Sequence, residues 1–348
     1  MTTPKMFQSA TKRALIIKTS SMGDVIHTLP ALTDAITAKP DIVFDWVVEK
    51  NFAQIPSWHP AVNRTIEIEF RKWRKAPWQA FREGQWQRFY QSITRETYDI
   101  IIDAQGLLKS ALISVAAKGQ RFGLDKNSAR EPLASLFYTH RISVPKNTHA
   151  ILRVRQLFSQ IFGYPCPSDP PDYGISNQFT ATTESFVVFL HGTTWETKLW
   201  PESYWQKLGL LLTEKNLKVY IPWGNAAEKA RAERIATHHD KIQVLPPMEL
   251  VELAKLLANA KAVVAADTGL GHLACALATP TISLYGPTNP VLTGTSGLYQ
   301  SHLISKFPCA PCLQEKCTYK GHSSTQPACF SEITPEMVFN QIITTHPL

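Results

Sequence analysis

Ala262-Val-Val-Ala-Ala-Asp-Thr-Gly-Leu-Gly-His-Leu-Ala-Cys-Ala-Leu-Ala278, followed after Thr279 and Pro280 by Thr281-Ile-Ser-Leu-Tyr285, is the stretch on which the fold turns. Ala262–Ala266 is an uninterrupted apolar run, as a strand covered on both faces requires. Asp267 and Thr268 end it, and Gly269–Ala278 reads as a helix that starts at once. Thr281–Tyr285 is a second buried strand. A strand, a helix and another strand in so short a span form a parallel crossover unit.

The same alternation extends in both directions. Upstream lie strand Phe186–His191, a helix over Pro201–Glu214 with proline in its first turn, strand Lys218–Pro222, a helix over Ala226–His238, strand Ile242–Leu245 and a helix over Glu249–Asn259. A last helix is expected over Pro335–Thr344. The first half repeats the pattern: strand Ala14–Lys18, a helix over Asp24–Ala38, strands Val43–Val48, Thr65–Ile68 and Tyr98–Asp103, and a helix from Leu107 to Lys118. Gly163-Tyr-Pro-Cys-Pro-Ser-Asp-Pro-Pro171 holds four prolines in nine residues. Proline fits neither a helix interior nor a central strand, so this is a linker. The expected fold is α/β, with two Rossmann-like domains facing a central cleft. The 348 residues suit two domains.

Composition excludes other classes. At 44% hydrophobic and 18% charged, the chain is a folded globular protein. Its longest apolar runs fall far short of the roughly 20 residues of a membrane-spanning helix. Met1–Arg13 is polar and basic, and Ala14–Ile17 is too short for a signal-peptide core, so the cytoplasm is the expected location. The net charge of +8 calls for an anionic partner. Between Arg64 and Arg88 seven basic residues face three acidic ones, interleaved with Trp73, Trp78, Phe81, Trp86, Phe89 and Tyr90. Without a secretory signal, Cys166, Cys275, Cys309, Cys312, Cys317 and Cys329 are not a disulfide framework.

Ligands of parallel sheets bind at the carboxyl ends of strands, and four segments there carry chemistry. Asp267-Thr-Gly-Leu-Gly-His272 turns into a helix whose free N–H groups favour an anion; Gly269 and Gly271 open the backbone, and Thr268 and His272 add donors. As structure alone it is a strand-to-helix turn with an Asp cap. Gly192-Thr-Thr-Trp-Glu-Thr-Lys198 sets Thr193, Thr194 and Lys198 at another strand end, suited to phosphate. Trp223-Gly-Asn-Ala-Ala-Glu228 offers an acid to sugar hydroxyls, or simply a first-turn carboxylate. Lys18-Thr-Ser-Ser-Met-Gly-Asp24 ends on a carboxylate that is either an N-cap or a general base. Cys309, Cys312, Cys317 and Cys329 could offer four thiolates to zinc, but the spacing is irregular and loop thiols are the default. No Gly-x-Gly-x-x-Gly fingerprint and no P-loop is present.

Lys18-Thr-Ser-Ser-Met-Gly-Asp-Val-Ile-His-Thr-Leu-Pro-Ala-Leu-Thr-Asp34, Ile102-Asp-Ala-Gln-Gly-Leu-Leu-Lys-Ser110, Ser128-Ala-Arg-Glu-Pro132 and Asp267-Thr-Gly-Leu-Gly-His-Leu-Ala274 occur in that order. Together they resemble the lipopolysaccharide heptosyltransferase I family of glycosyltransferase family 9, from about Ala14 to the last helix. Met1–Lys12 lies outside the likeness. The resemblance implies a GT-B fold, no catalytic metal, no cofactor, and transfer with inversion from ADP-L-glycero-β-D-manno-heptose to Kdo-lipid A. It implies an acceptor domain over 1–170, joined by the final helix within 335–348, and a donor domain over 171–334.

By the same resemblance Asp24 is the base, and Thr193, Thr194 and Lys198 hold the diphosphate, with Lys198 also offsetting charge on the leaving group. Glu228 takes the ribose hydroxyls and Met248 contacts adenine. Asp267 orients the heptose, with Thr268, Gly269 and His272 at its phosphates. Arg71, Lys72, Arg74, Lys75 and Arg130 face the acceptor's acidic groups. The partners implied are donor, acceptor and the cytoplasmic face of the inner membrane, where the basic segment would give peripheral, salt-sensitive association. A heptosyltransferase of the second type, acting on a later core acceptor, is the near alternative. A nicotinamide dehydrogenase lacks its glycine fingerprint, and a nucleic-acid binder lacks any recognisable module.

Overall fold

The computed structural model describes residues 11–179, 184–236 and 239–345. Most of the Met1–Lys12 extension, the expected helix end at His238 and the last three residues lie outside them. The chain divides into two compact units, up to Asp169 and from Pro170 onward, within the proline-rich linker.

In the first unit the elements are β1 (Lys12–Ile17), α1 (Met22–Ile26), α2 (Leu29–Ala38), β2 (Ile42–Glu49), α3 (Gln54–Ser57), β3 (Val62–Ile68), α4 (Phe70–Lys75), α5 (Pro77–Arg82), α6 (Gln85–Thr94), β4 (Thr97–Asp103), α7 (Leu108–Ala116), β5 (Lys118–Leu124), β6 (His140–Ile142) and α8 (Ala150–Phe162). All strands are parallel, in the order β3-β2-β1-β4-β5-β6. The chain winds one way from β1 and then restarts beside it with β4, so the crevice between β1 and β4 is the switch point where ligands bind. Leu15, Ile17, Val47, Ile66 and Ile101 form the core on one face, with Trp73 packed in from α4.

The helix expected over Asp24–Ala38 is two helices. Pro30, the second residue of α2, has no N–H to give and would press on the carbonyl of Ile26, where α1 stops. β5, β6, α3 to α6 and α8 are absent from the sequence reading. Lys118-Gly-Gln-Arg-Phe-Gly-Leu124 carries two glycines and little apolar alternation, so its strand state comes from pairing with β4.

In the second unit the elements are β7 (Phe186–Leu190), α9 (Glu202–Glu214), β8 (Lys218–Ile221), α10 (Ala226–Ile235), β9 (Ile242–Val244), α11 (Leu250–Asn259), β10 (Ala262–Ala266), α12 (Gly269–Ala276), β11 (Thr281–Tyr285), α13 (Pro290–Thr293), β12 (Gln300–Ile304) and α14 (Pro335–Thr345). This sheet runs β12-β11-β10-β7-β8-β9, again parallel, with its switch point between β7 and β10. Phe189, Trp200, Trp205, Val264 and Ile282 fill its core.

Val338 and Ile342 of α14 belong to that core, and α14 packs on α9 and β11. The sequence reading instead joins this helix to the first domain. Gly271 also differs from expectation. A Cβ there would stand 3.1 Å from the Ala265 Cβ, so this glycine lets α12 lie close on β10 rather than opening a path to ligand.

Candidate active site

In the first unit the loop after β1 is tied to the loop after β4. The Thr19 N–H and hydroxyl both donate to Gln105 Oε1, at 2.7 and 2.9 Å, and the Gln105 side-chain amide donates to the Ser20 carbonyl. Gln105 is held in turn by Asp103, whose Oδ1 accepts from the N–H groups of Gln105 and Gly106. Tyr138 donates to the other oxygen of this fully buried carboxyl at 2.6 Å.

Asp24 lies in α1 at the rim of this network. Its Oδ2 accepts from the Ser21 N–H at 2.9 Å and the Ser21 hydroxyl at 3.0 Å. The Lys18 ammonium stands 3.4 Å from Oδ1 while donating to the Ala104 carbonyl. Burial pushes the Asp24 carboxyl up, but Lys18 and the Ser21 donors outweigh it and hold the pKa below the ordinary value. Asp24 is therefore both a capping residue and an ionised, partly exposed carboxylate, able to accept a proton from a bound hydroxyl.

The basic residues separate into two groups. Glu49, at the end of β2, sits where burial raises its carboxyl pKa, opposed by the Arg71 N–H and by the charges of Arg71 and Lys109. Arg71 and Lys109 thus stand at the carboxyl ends of the strands. Gly106, at φ +68°, brings the backbone of Arg130 to the β4 loop, since a Cβ there would meet the Arg130 nitrogen at 3.4 Å. Lys72, Arg74 and Lys75 are on the exposed side of α4, Lys72 facing Glu69 at 3.8 Å. Sequence reasoning missed Glu49, Gln105 and Lys109. Gln105 and Lys109 stand inside the quoted Ile102–Ser110 motif, which was the available signal.

In the second unit the residues expected at the donor converge on adjacent strand ends. The Lys198 ammonium pairs with Asp267 Oδ2 at 2.8 Å, both side chains mostly buried. It also lies over the Trp195 ring at 4.5 Å. Thr288, which the sequence reading did not single out, donates to the same Asp267 oxygen at 2.8 Å. The Thr193 hydroxyl donates to the Asp267 carbonyl at 3.3 Å, joining the β7 and β10 loops. Thr268 stands at the N-cap position of α12, Gly269 is the helix's first residue, and His272 is buried in its first turns. The turn bearing Lys198 is braced from behind: Thr197 donates its hydroxyl to the Gln314 carbonyl and its N–H to the Glu315 carbonyl.

Glu228, in the first turn of α10, accepts from the Gly224 N–H at 2.8 Å. Its carboxyl also lies against Gly192, where a Cβ would come within 2.7 Å of Cδ. It therefore joins the Thr193–Thr194 loop at the β7 end. Met248 is half-buried in the loop between β9 and α11, and Trp223 donates to the Leu245 carbonyl, linking the loops after β8 and β9.

All six cysteines are free thiols. Among the described residues no group of three or more His, Cys, Asp or Glu side chains is placed to hold a metal ion.

Two doubly wound units, each with charged and hydroxyl side chains gathered at its strand ends, have the architecture of a two-domain α/β group-transfer enzyme. The chain belongs to glycosyltransferase family 9, the heptosyltransferases, whose model matches residues 86–322. It is 52% identical over 343 residues to lipopolysaccharide heptosyltransferase 1 of Pseudomonas aeruginosa, covering 95% of this chain and 97% of that protein. It is also similar to the heptosyltransferase WaaC of Escherichia coli solved with ADP, at 43% identity and a TM-score of 0.87, over 96% of this chain and 99% of that one. WaaC solved with ADP-2-deoxy-2-fluoro heptose matches at 43% identity with a TM-score of 0.83, over 95% and 99% of the two chains. The chain is a glycosyltransferase, and its activity is heptose transfer in assembly of the lipopolysaccharide inner core.

Proposed function

We propose that the second unit binds ADP-L-glycero-β-D-manno-heptose along four neighbouring strand ends, and that Asp24 of the first unit activates the Kdo hydroxyl of Kdo-lipid A. The observation that carries this is the strand order. β10, β7, β8 and β9 are successive neighbours, and the loops that follow them bear Asp267, Thr193 with Thr194 and Lys198, Glu228, and Met248. That is the linear order of the donor: heptose, diphosphate, ribose, adenine. Three strand spacings of about 4.8 Å make a row roughly 14 Å long.

Asp24 removes the proton from the Kdo hydroxyl. The oxygen attacks the anomeric carbon from the face opposite the diphosphate. The bond from that carbon to the β-phosphate oxygen breaks, its electron pair leaves with ADP, and the configuration inverts. Lys198 and the Thr193–Thr194 hydroxyls offset the charge growing on the leaving oxygen, while Thr268, Gly269 and His272 line the α12 start. Asp267 orients the heptose and steadies Lys198. In the first unit Arg71, Lys72, Arg74, Lys75 and Arg130 receive the acidic groups of the acceptor. The first unit is thus the acceptor domain and the second the donor domain.

Among the described residues no helix is long and apolar enough to cross a membrane. The basic segment of the first unit supports peripheral association with the cytoplasmic face of the inner membrane, where the lipid acceptor is presented.

The test is transfer from ADP-heptose to Kdo-lipid A by Asp24→Ala. Turnover is expected to fall about 100- to 10,000-fold while the affinity for ADP stays within about twofold. Normal turnover by this variant removes Asp24 as the base.

A further inference from the structure

The three helices between β3 and β4 bury one side and present the other. Inward, Trp73, Ala80 and Ile93 join the core of the first unit. Trp73 packs against Trp86 at 4.5 Å and Phe89 at 5.8 Å between ring centroids, and donates its indole N–H to Gln85. The segment is therefore firmly seated. Outward, Trp78 is 80% exposed and Phe81 70% exposed. Three residues apart on α5, they share one face, and Ala80 points the other way. Tyr90 of α6 is also more than half exposed.

Single exposed aromatics are ordinary, but two on one turn of a short helix make a patch that needs a partner. The charges around them identify it. From Phe70 to Thr94 there are six basic side chains and one acidic one. The acidic one, Glu83, accepts from the Gln79 and Gln85 amides and keeps its charge, so six basic groups against one carboxylate set a positive field. Arg82 directly follows Phe81, and Arg88 lies in α6; both are exposed. Protruding Trp and Phe ringed by arginine is the composition of an element that lies in a membrane interface, rings among the acyl boundary and guanidinium groups at lipid phosphates.

We propose that the outer face of α5 and α6 docks on an anionic phospholipid bilayer, with Trp78 and Phe81 entering the interface and Arg82 and Arg88 pairing with headgroup phosphates. This deepens the membrane reading above. That reading rests on charge and predicts binding lost in salt, whereas the aromatic pair adds an apolar component that salt does not remove.

The experiment is co-sedimentation of the full chain with vesicles of phosphatidylcholine, with and without phosphatidylglycerol, in the absence of donor and acceptor. Its outcome is therefore separate from that of any transfer assay. Wild type is expected to bind the anionic vesicles, and to keep part of that binding at about 0.5 M salt, where charges are screened within a few Å. Trp78→Ala/Phe81→Ala is expected to bind roughly tenfold more weakly at both salt levels, and Arg82→Gln/Arg88→Gln roughly tenfold more weakly at low salt only. Acyl-brominated lipid should quench wild-type tryptophan fluorescence. Trp78→Phe should keep vesicle binding and lose most of that quenching. The proposal is overturned if Trp78→Ala/Phe81→Ala binds like wild type at high salt, if quenching survives Trp78→Phe, or if the patch variants lose affinity for single-stranded DNA and not for vesicles.

Discussion

Gly192→Ala offers the sharpest test of how the donor site is built. The glycine is not in the left-handed region, so alanine strains no backbone there. The conflict is steric: the new Cβ would stand 2.7 Å from Glu228 Cδ and 2.9 Å from Oε1. Carbon atoms settle near 3.5–4.0 Å, so the carboxyl must retreat by about 1 Å. Its bond from the Gly224 N–H, 2.8 Å long, then stretches beyond useful length.

Because the displaced atoms are the free end of a flexible side chain, the cost in stability is under about 1 kcal/mol. The cost in binding is larger. On the proposed role of Glu228 at the ribose hydroxyls, moving its carboxylate forfeits charge-assisted hydrogen bonds of about 1.5–3 kcal/mol, or roughly 10- to 150-fold in ADP affinity. Calorimetric titration with ADP measures this, with a thermal melt to confirm the fold. Glu228→Ala and the double variant complete the cycle: if alanine acts through Glu228, adding it to Glu228→Ala costs nothing further. Wild-type ADP affinity in Gly192→Ala would refute the reasoning, and so would an equal loss in the Glu228→Ala background.

Lys198→Ala is expected to weaken ADP binding and turnover together, by about tenfold or more each, because the proposed role of the ammonium covers both the bound diphosphate and the leaving oxygen; steady-state kinetics with ADP titration would show it, and an unchanged rate would remove Lys198 from the site. Because the folded pKa of Asp24 is lowered, the proposed base stays ionised to lower pH than an unperturbed carboxylate, and the acidic limb of kcat/KM should be displaced in that direction. Lys18→Met removes the ammonium and leaves the burial, so the limb should move to higher pH; a limb that stays in place would show that Asp24 does not set it. Burial pushes the His191 imidazole down to about 4, with the Arg231 charge as a lesser cause. Between roughly pH 6.5 and 4 the unfolded chain then binds a proton that the folded chain refuses, so stability should fall with pH, by about 3 kcal/mol in all. Denaturant midpoints followed against pH should flatten over this window in His191→Met, and an unaltered slope would assign the loss to other groups.

Much of the fold is written locally. The apolar runs at β1, β2, β4, β7, β8, β10 and β11 announce strands within a residue or two of their observed ends, and the periodic segments between them announce the helices of parallel crossover units. Among the elements that escaped, α8 carries a clear helical spacing at Ile151, Val154, Leu157 and Phe158, whereas the others have weak local signals. β5 carries two glycines, β6 has three residues, and β12 is a polar edge strand; all three are stabilised by a neighbour across the sheet. α4 to α6 were hidden because their basic and aromatic residues follow no single apolar stripe, with Trp73 and Ile93 turned in and Trp78 and Phe81 turned out.

The candidate residues divide along the same line. Sequence by itself determined which polar groups stand at the strand ends: the Asp24 carboxylate after the first strand, the Thr193–Lys198 loop, Glu228, and the Asp267–His272 turn; the roles proposed for them rest on the family resemblance. Each sits at a strand end that an apolar run and a polar break identify, and the ordered motifs determined the family. Tertiary structure decided what these groups do to one another. Lys18 lowers the Asp24 pKa because folding places the β1 end against α1. Glu228 reaches Gly192, and Lys198 reaches Asp267 some seventy residues away, because β8, β7 and β10 are neighbours in a sheet whose order local periodicity does not encode. Side-chain period reports which face is buried. Only packing selects which strand lies next, and with it which loops share a ligand.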